Sequence, residues 1–196
     1  MSHSMSSPRN IQLVFETYEK ARLVFVQTMA ELATRASNVK CLESAGVLDF
    51  LRPLLSDPCS TVRQCAVMAA ARLAEHEEGV ARQLLNSGML TATLENLNKF
   101  NVYYKRSALY LMRAVAKHNE ELASAIVRLG ALEHIVSCLE DFDTQACIYV
   151  NYAFLQLIHN LGIPSPYKLT SFQLYGSSVI SKVRSFDSRQ GSLENL

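Results

Sequence analysis

The side chains that could do chemistry fall into four sets. His76 and His118 end two similar stretches, Leu73-Ala74-Glu75-His76 and Val115-Ala116-Lys117-His118. Acidic pairs stand at Glu77-Glu78, Glu120-Glu121 and Glu140-Asp141. The five cysteines are Cys41, Cys59, Cys65, Cys138 and Cys147. A basic set comprises Arg63, Arg72, Lys105, Arg106, Arg113 and Lys117. Imidazoles suit metal ligation or proton transfer, but no cysteine or carboxylate recurs with these two. Helix-terminal histidines bonding the last carbonyls are the better reading. Two of the acidic pairs fall at helix starts, where the dipole favours negative charge; they are not acid/base dyads. The odd number of cysteines, with no C-x-x-C spacing, points to reduced thiols rather than a disulfide framework or a zinc site. No G-x-S-x-G, phosphate-cradling glycine loop or H-E-x-x-H occurs. The chain therefore reads as non-enzymatic, with no cofactor, metal or small-molecule substrate.

The elements that must position these residues follow from a repeat. Gly46, Gly88 and Gly130 are 42 residues apart, as are Leu55, Leu97 and Leu139, and His76 and His118. Leu42, Leu84 and Ile126 keep the same step. Each unit predicts a short helix up to the glycine (Asn38 to Ser44, Glu78 to Asn86, Glu120 to Leu129). A second helix follows (Val47 to Leu55, Met89 to Leu97, Ala131 to Leu139). After a polar break, Ser60, Asn101 and Thr144 are candidate N-caps of a third, longer helix. Its apolar positions recur at three and four residues: Val62, Ala66, Ala69, Ala70 and Leu73, then Tyr104, Ala108, Leu111, Met112 and Val115. The segment Ile11 to Ala33 supplies an incomplete first unit, Leu32-Ala33 matching Leu73-Ala74. Three helices in about forty residues is the armadillo pattern, whose units stack into a right-handed superhelix. The expected architecture is an all-α armadillo-type solenoid of about three repeats plus the N-terminal helix, over residues 10–161. An irregular, Ser-rich tail over 162–196 follows.

Composition sets the remaining bounds. The 196 residues are 49% hydrophobic and 19% charged, enough apolar side chain for a packed core, and the net charge is +1. Near-neutrality argues against nucleic acid as main partner. Met1 to Asn10 lacks the apolar core of a signal peptide. From Thr144 to Tyr167 no Asp, Glu, Lys or Arg occurs, but Asn151, Gln156, His159 and Asn160 make a buried helix a better reading than a membrane span.

Several strings also resemble the sperm-associated antigen 6 family, armadillo-repeat proteins of the ciliary and flagellar central pair. They are Phe15-Glu16-Thr17-Tyr18-Glu19-Lys20-Ala21-Arg22, Tyr103-Tyr104-Lys105-Arg106, Leu111-Met112-Arg113-Ala114-Val115-Ala116-Lys117-His118 and Cys138-Leu139-Glu140-Asp141-Phe142-Asp143. The resemblance covers residues 10–143, matches the N-terminal portion of the family's chains and marks this one as a short or divergent form. It implies a scaffold of the axonemal central apparatus, located in cytoplasm, cytoskeleton and cilium or flagellum. The partners implied are other central-apparatus proteins and tubulin, with no nucleic acid and no membrane. The alternatives are a general cytosolic peptide-binding adaptor and a truncated isoform without the family's full function. In armadillo import receptors the third helices carry Trp and Asn ladders. This chain has no Trp, and the Asn positions hold Glu31, Arg72 and Ala114. The candidate protein-binding residues on the third helices are instead Arg72, Lys105, Arg106, Arg113 and Lys117.

Overall fold

The structure, a computed structural model, describes residues 8–131, 133 and 134. Of the expected helix over Ala131 to Leu139, Ala131, Glu133 and His134 are described and helical; its remainder, the Thr144 cap and the helix after it, and the 162–196 tail lie outside the described residues.

The described chain is a succession of helices: α1 (Pro8–Leu32), α2 (Ala36–Ser44), α3 (Val47–Leu51), α4 (Ser60–His76), α5 (Glu78–Asn86), α6 (Met89–Glu95), α7 (Val102–Ala116) and α8 (Glu120–Arg128). It contains two complete three-helix units, α2-α3-α4 and α5-α6-α7, preceded by α1 and followed by the first helix of a third unit. The glycines at the 42-residue step make each first turn. Gly46, Gly88 and Gly130 have φ of 68°, 73° and 78°, and among the described residues only glycines have positive φ. That left-handed conformation ends one helix and starts the next within two residues.

The second helices are shorter than the pattern predicts. α3 stops at Leu51 and tightens into a 3-10 turn over Arg52–Ser56. Pro53 has no N–H to give an i→i−4 bond, so the α ladder cannot continue through it. In the next unit α6 ends at Glu95 and a 3-10 turn spans Leu97–Lys99. The caps also divide. Asn101 is the N-cap of α7, its side chain accepting from the Tyr104 N–H at 3.0 Å. Ser60 does not cap α4; it is the first helical residue, and Cys59 holds the cap position. The carboxylate of Asp57 accepts the Cys59 N–H at 2.8 Å, ahead of the helix, and α4 has no side-chain cap bond.

The long helices form the spine, α1 lying on α4 and α4 on α7. Their contact faces are built of small residues. Ala66, Ala69, Ala70, Ala71 and Ala74 of α4 and Ala108, Ala114 and Ala116 of α7 are all fully buried. Small side chains let the helix axes approach, and the larger Leu73, Leu111, Met112, Leu84 and Leu90 fill the space between layers. A single apolar core runs from Val26 to Ala131, as nearest-neighbour stacking requires.

Candidate functional site

Residues one period apart in sequence lie side by side in a stacked solenoid, and polar contacts between units fall near that separation, from 35 to 44 residues. Arg72 Nη1 donates to the Ala30 carbonyl at 2.6 Å. His118 Nε2 donates to the Ala74 carbonyl at 2.6 Å. Asn119 Nδ2 donates to Glu78 at 2.7 Å. Arg82 bridges Glu78 at 2.9 Å and Glu121 at 2.8 Å. That hydrogen bond holds the Glu121 carboxyl below its ordinary range. Arg22 of α1 grips the buried Asp57 carboxylate, Nε to Oδ2 at 2.7 Å.

The histidine reading needs one correction. His76 is the last residue of α4, but His118 lies two residues beyond the end of α7. Its ring serves a carbonyl in the last turn of α4, in the neighbouring unit, rather than its own helix. Among the described residues no group of His, Cys, Asp and Glu stands together as a metal site. Nor is any helix there long and apolar enough to cross a membrane.

The basic candidates separate by position. Arg106, Arg113 and Lys117 lie on one face, at steps of seven and four along and just past α7. Tyr103 and Tyr110 complete that face at the intervening positions, giving Tyr103, Arg106, Tyr110, Arg113, Lys117 at alternating steps of three and four. The Arg106 guanidinium lies 5.9 Å from the Tyr103 ring centre, and the Arg113 guanidinium 4.9 Å from that of Tyr110. Tyr103 is exposed and the other four are half-buried. Arg72 enters this cluster from α4. Lys105 does not share the face: it is buried, a helical step away from Arg106. Arg63 is also turned elsewhere. It donates to the carbonyls of Asp57 and Pro58 and stacks 4.0 Å from the Phe100 ring centre. At the positions of the absent Asn ladder, Glu31 is exposed, Arg72 half-buried and Ala114 fully buried.

Two residues of the cluster were not singled out by sequence. Glu75, on α4, places one carboxylate oxygen 2.8 Å from Arg113 Nη2 and the other 2.8 Å from Lys117 Nζ. Tyr110 packs beside them. Burial pushes its phenol up, the Glu75 charge adds to this, and the Arg113 and Arg72 charges oppose it. Lys117 and Glu75 are one 42-residue step apart, which was the available signal for the pair. Burial likewise raises the Cys65 thiol, against the lowering field of Arg72. The half-buried Cys65 packs against the core, and a raised thiol is a poorer nucleophile.

Comparison with known proteins bears on both fold and family. No protein-family model matches the chain. Over 102 residues, 52% of the chain, it is 46% identical to mouse (Mus musculus) sperm-associated antigen 6 and 45% identical to the human (Homo sapiens) protein. The aligned part is 20% of those relatives' length, so the match spans a fifth of them. Among solved structures it resembles the designed armadillo repeat protein YIII(Dq)4CqI with a TM-score of 0.65 at 22% identity, over 72% of this chain and 64% of that one. It also resembles a designed armadillo repeat protein in complex with the peptide (KR)4, with a TM-score of 0.63 at 22% identity, over 69% and 60% of the two chains. The fold is thus an all-α armadillo-type solenoid, and half of the chain is similar to sperm-associated antigen 6.

Proposed function

We propose that this chain is a non-enzymatic, protein-binding scaffold of the central apparatus of the motile axoneme, in cilium or flagellum. It holds its partners on the third-helix face bearing Arg72, Arg106, Arg113 and Lys117, with Lys105 beneath it. The partners are other central-apparatus proteins and tubulin, whose acidic surfaces complement that face. The observation that carries the reading is the 45–46% identity to sperm-associated antigen 6, in a chain folded as a stack of armadillo units. The mechanism is rigid display: a one-dimensional stack fixes the spacing between the surfaces it presents.

A tagged full-length chain, expressed in a cell with motile cilia, tests this. Axonemal signal is expected, and Arg113→Glu with Lys117→Glu should weaken it without unfolding the chain. Diffuse cytosolic signal from the unaltered chain would remove the axonemal reading. It would leave a general peptide-binding adaptor, a reading favoured by the peptide complex of the designed solenoid.

A further inference from the structure

Charge is segregated along the spine. Helices α4 and α7, with Lys117 just beyond, carry six cations: Arg63, Arg72, Lys105, Arg106, Arg113 and Lys117. Between them they carry one carboxylate, Glu75. The chain as a whole is nearly neutral, so this excess is local. Arg106, Arg113 and Lys117 stand on the Tyr-Arg face, Arg72 acts on its Tyr110 from α4, and the Glu75 carboxylate lies between Arg113 and Lys117. Glu75 is held as a bound carboxylate would be, one oxygen on a guanidinium and one on an ammonium, both at 2.8 Å. The side chains of Arg113, Glu75 and Lys117 keep 19%, 21% and 30% of their surface open to water. The clamp is therefore reachable from solvent.

We propose that this face docks an extended Asp/Glu-rich segment of a partner protein, and that Glu75 is a resident carboxylate standing where a ligand carboxylate goes. The proposal rests on the protein-binding reading above and specifies its chemistry. The tyrosine rings hold the guanidiniums upright and offer flat apolar surface to the segment's backbone. Glu75 competes for Arg113 and Lys117, so it keeps the free face from binding every acid it meets. A ligand carboxylate must displace it or share the pair.

The test is a titration of the full chain with a short labelled peptide of alternating Glu and Gly. The peptide (KR)4 and a short oligothymidylate serve as opposite-charge and nucleic-acid comparators. The wild-type chain should bind the acidic peptide. Glu75→Gln, which empties the clamp at constant shape, should tighten it roughly ten-fold at low salt, a change on the order of one strong charge contact. Arg113→Gln with Lys117→Gln should weaken it by at least as much. The effects should fade towards ~1 M salt, where the screening length is ~3 Å. A folded Glu75→Gln chain that binds the acidic peptide no better, or one that prefers (KR)4 or the oligonucleotide, overturns the proposal. If Glu75→Gln does not fold, Arg106→Gln decides. A loss of about three-fold supports the proposal, and unchanged affinity overturns it. Failure here is distinguishable from failure of the axonemal reading. Peptide binding that responds to Glu75→Gln in a chain absent from axonemes refutes only the latter. Axonemal signal sensitive to Arg113→Glu/Lys117→Glu but not to Glu75→Gln refutes only this inference.

Discussion

Tyr104 offers the sharpest test of the packing within a unit. It is one of the largest fully buried side chains, the third residue after the Asn101 cap on the inner side of α7. Its ring meets Phe100 edge-on, centroids 4.8 Å apart, and Phe100 in turn lies under Arg63 of α4. Its hydroxyl donates to the Thr93 carbonyl at a long 3.5 Å. Burial pushes the phenol up to about 12 from an ordinary 10, more than the Thr93 bond and the Arg63 charge lower it. The sign follows from linkage. The folded chain holds this proton more tightly than the unfolded one, so the stabilisation is complete below pH 10. It is lost as the pH rises through 10 towards 12. At pH 11.5 the loss from this one group is about 2 kcal/mol, from two pKa units at 1.36 kcal/mol each, most of which is already spent. Other tyrosines and lysines also titrate there, so Tyr104→Phe is the comparison. At pH 8 urea midpoints of the two chains should lie within ~1 kcal/mol, because the lost hydrogen bond is long and neutral. At pH 11.5 the wild type should have lost about 2 kcal/mol more than Tyr104→Phe. Parallel declines of the two chains would refute the claim that Tyr104 sits dry between α6 and α7.

Three further changes probe the repeat itself. Gly88→Ala places a Cβ in open space but forces a left-handed L-residue, so it should cost about 1 kcal/mol in denaturant unfolding. Asn101→Ala removes the acceptor of the Tyr104 N–H and should lower stability by about 1 kcal/mol, while Ser60→Ala should be close to neutral. Leu111→Ala empties a fully buried position of α7 and should cost 2–5 kcal/mol, within the usual range for such truncations, measured as a fall in the urea midpoint at unchanged slope.

What the sequence made legible was whatever depends on period. The 42-residue step placed the three glycines, and a turn at that site needs positive φ, so composition and conformation agree at each. The apolar columns placed the buried stripes of α4 and α7 because a helix facing neighbours on two sides has few positions free to vary. Less legible was what depends on a single residue's chemistry inside a unit. Pro53 divides the second helix of one unit, while the following unit tightens into a 3-10 turn without a proline. Ser60 starts α4 as its first helical residue, and the nearby Asp57 accepts the Cys59 N–H ahead of the helix rather than capping it. The clamp at Glu75 escaped because the third helices were read for their basic residues and not for an acid one period away. A stacked repeat makes neighbours of residues one period apart, so Glu75 and Lys117 were as readable as the glycine column.

The same register explains the most exposed apolar surface in the described chain. Matching Leu32-Ala33 to Leu73-Ala74 sets Ser60, the first residue of α4, beside Glu19 of α1. Residues 8–18 of α1 therefore project past the helix they would pack on, an overhang of about 16 Å at 1.5 Å per residue. Burial agrees: Ile11, Val14, Phe15 and Tyr18 are exposed, Val14 at 69%, whereas Val26, within the overlap, is fully buried. Eleven residues are too few to hold an exposed helix end in water unaided. Amide hydrogen exchange should then be fast over residues 8–18, intermediate from Arg22, which Asp57 holds, and slowest in α4, which lies between α1 and α7. Val14→Ser should leave the unfolding midpoint within about 0.5 kcal/mol of wild type. Val26→Ala should cost several times more. Protection over 8–18 equal to that of α4 would mean that the overhang is covered in solution, and the nearest-neighbour account of its exposure would fail.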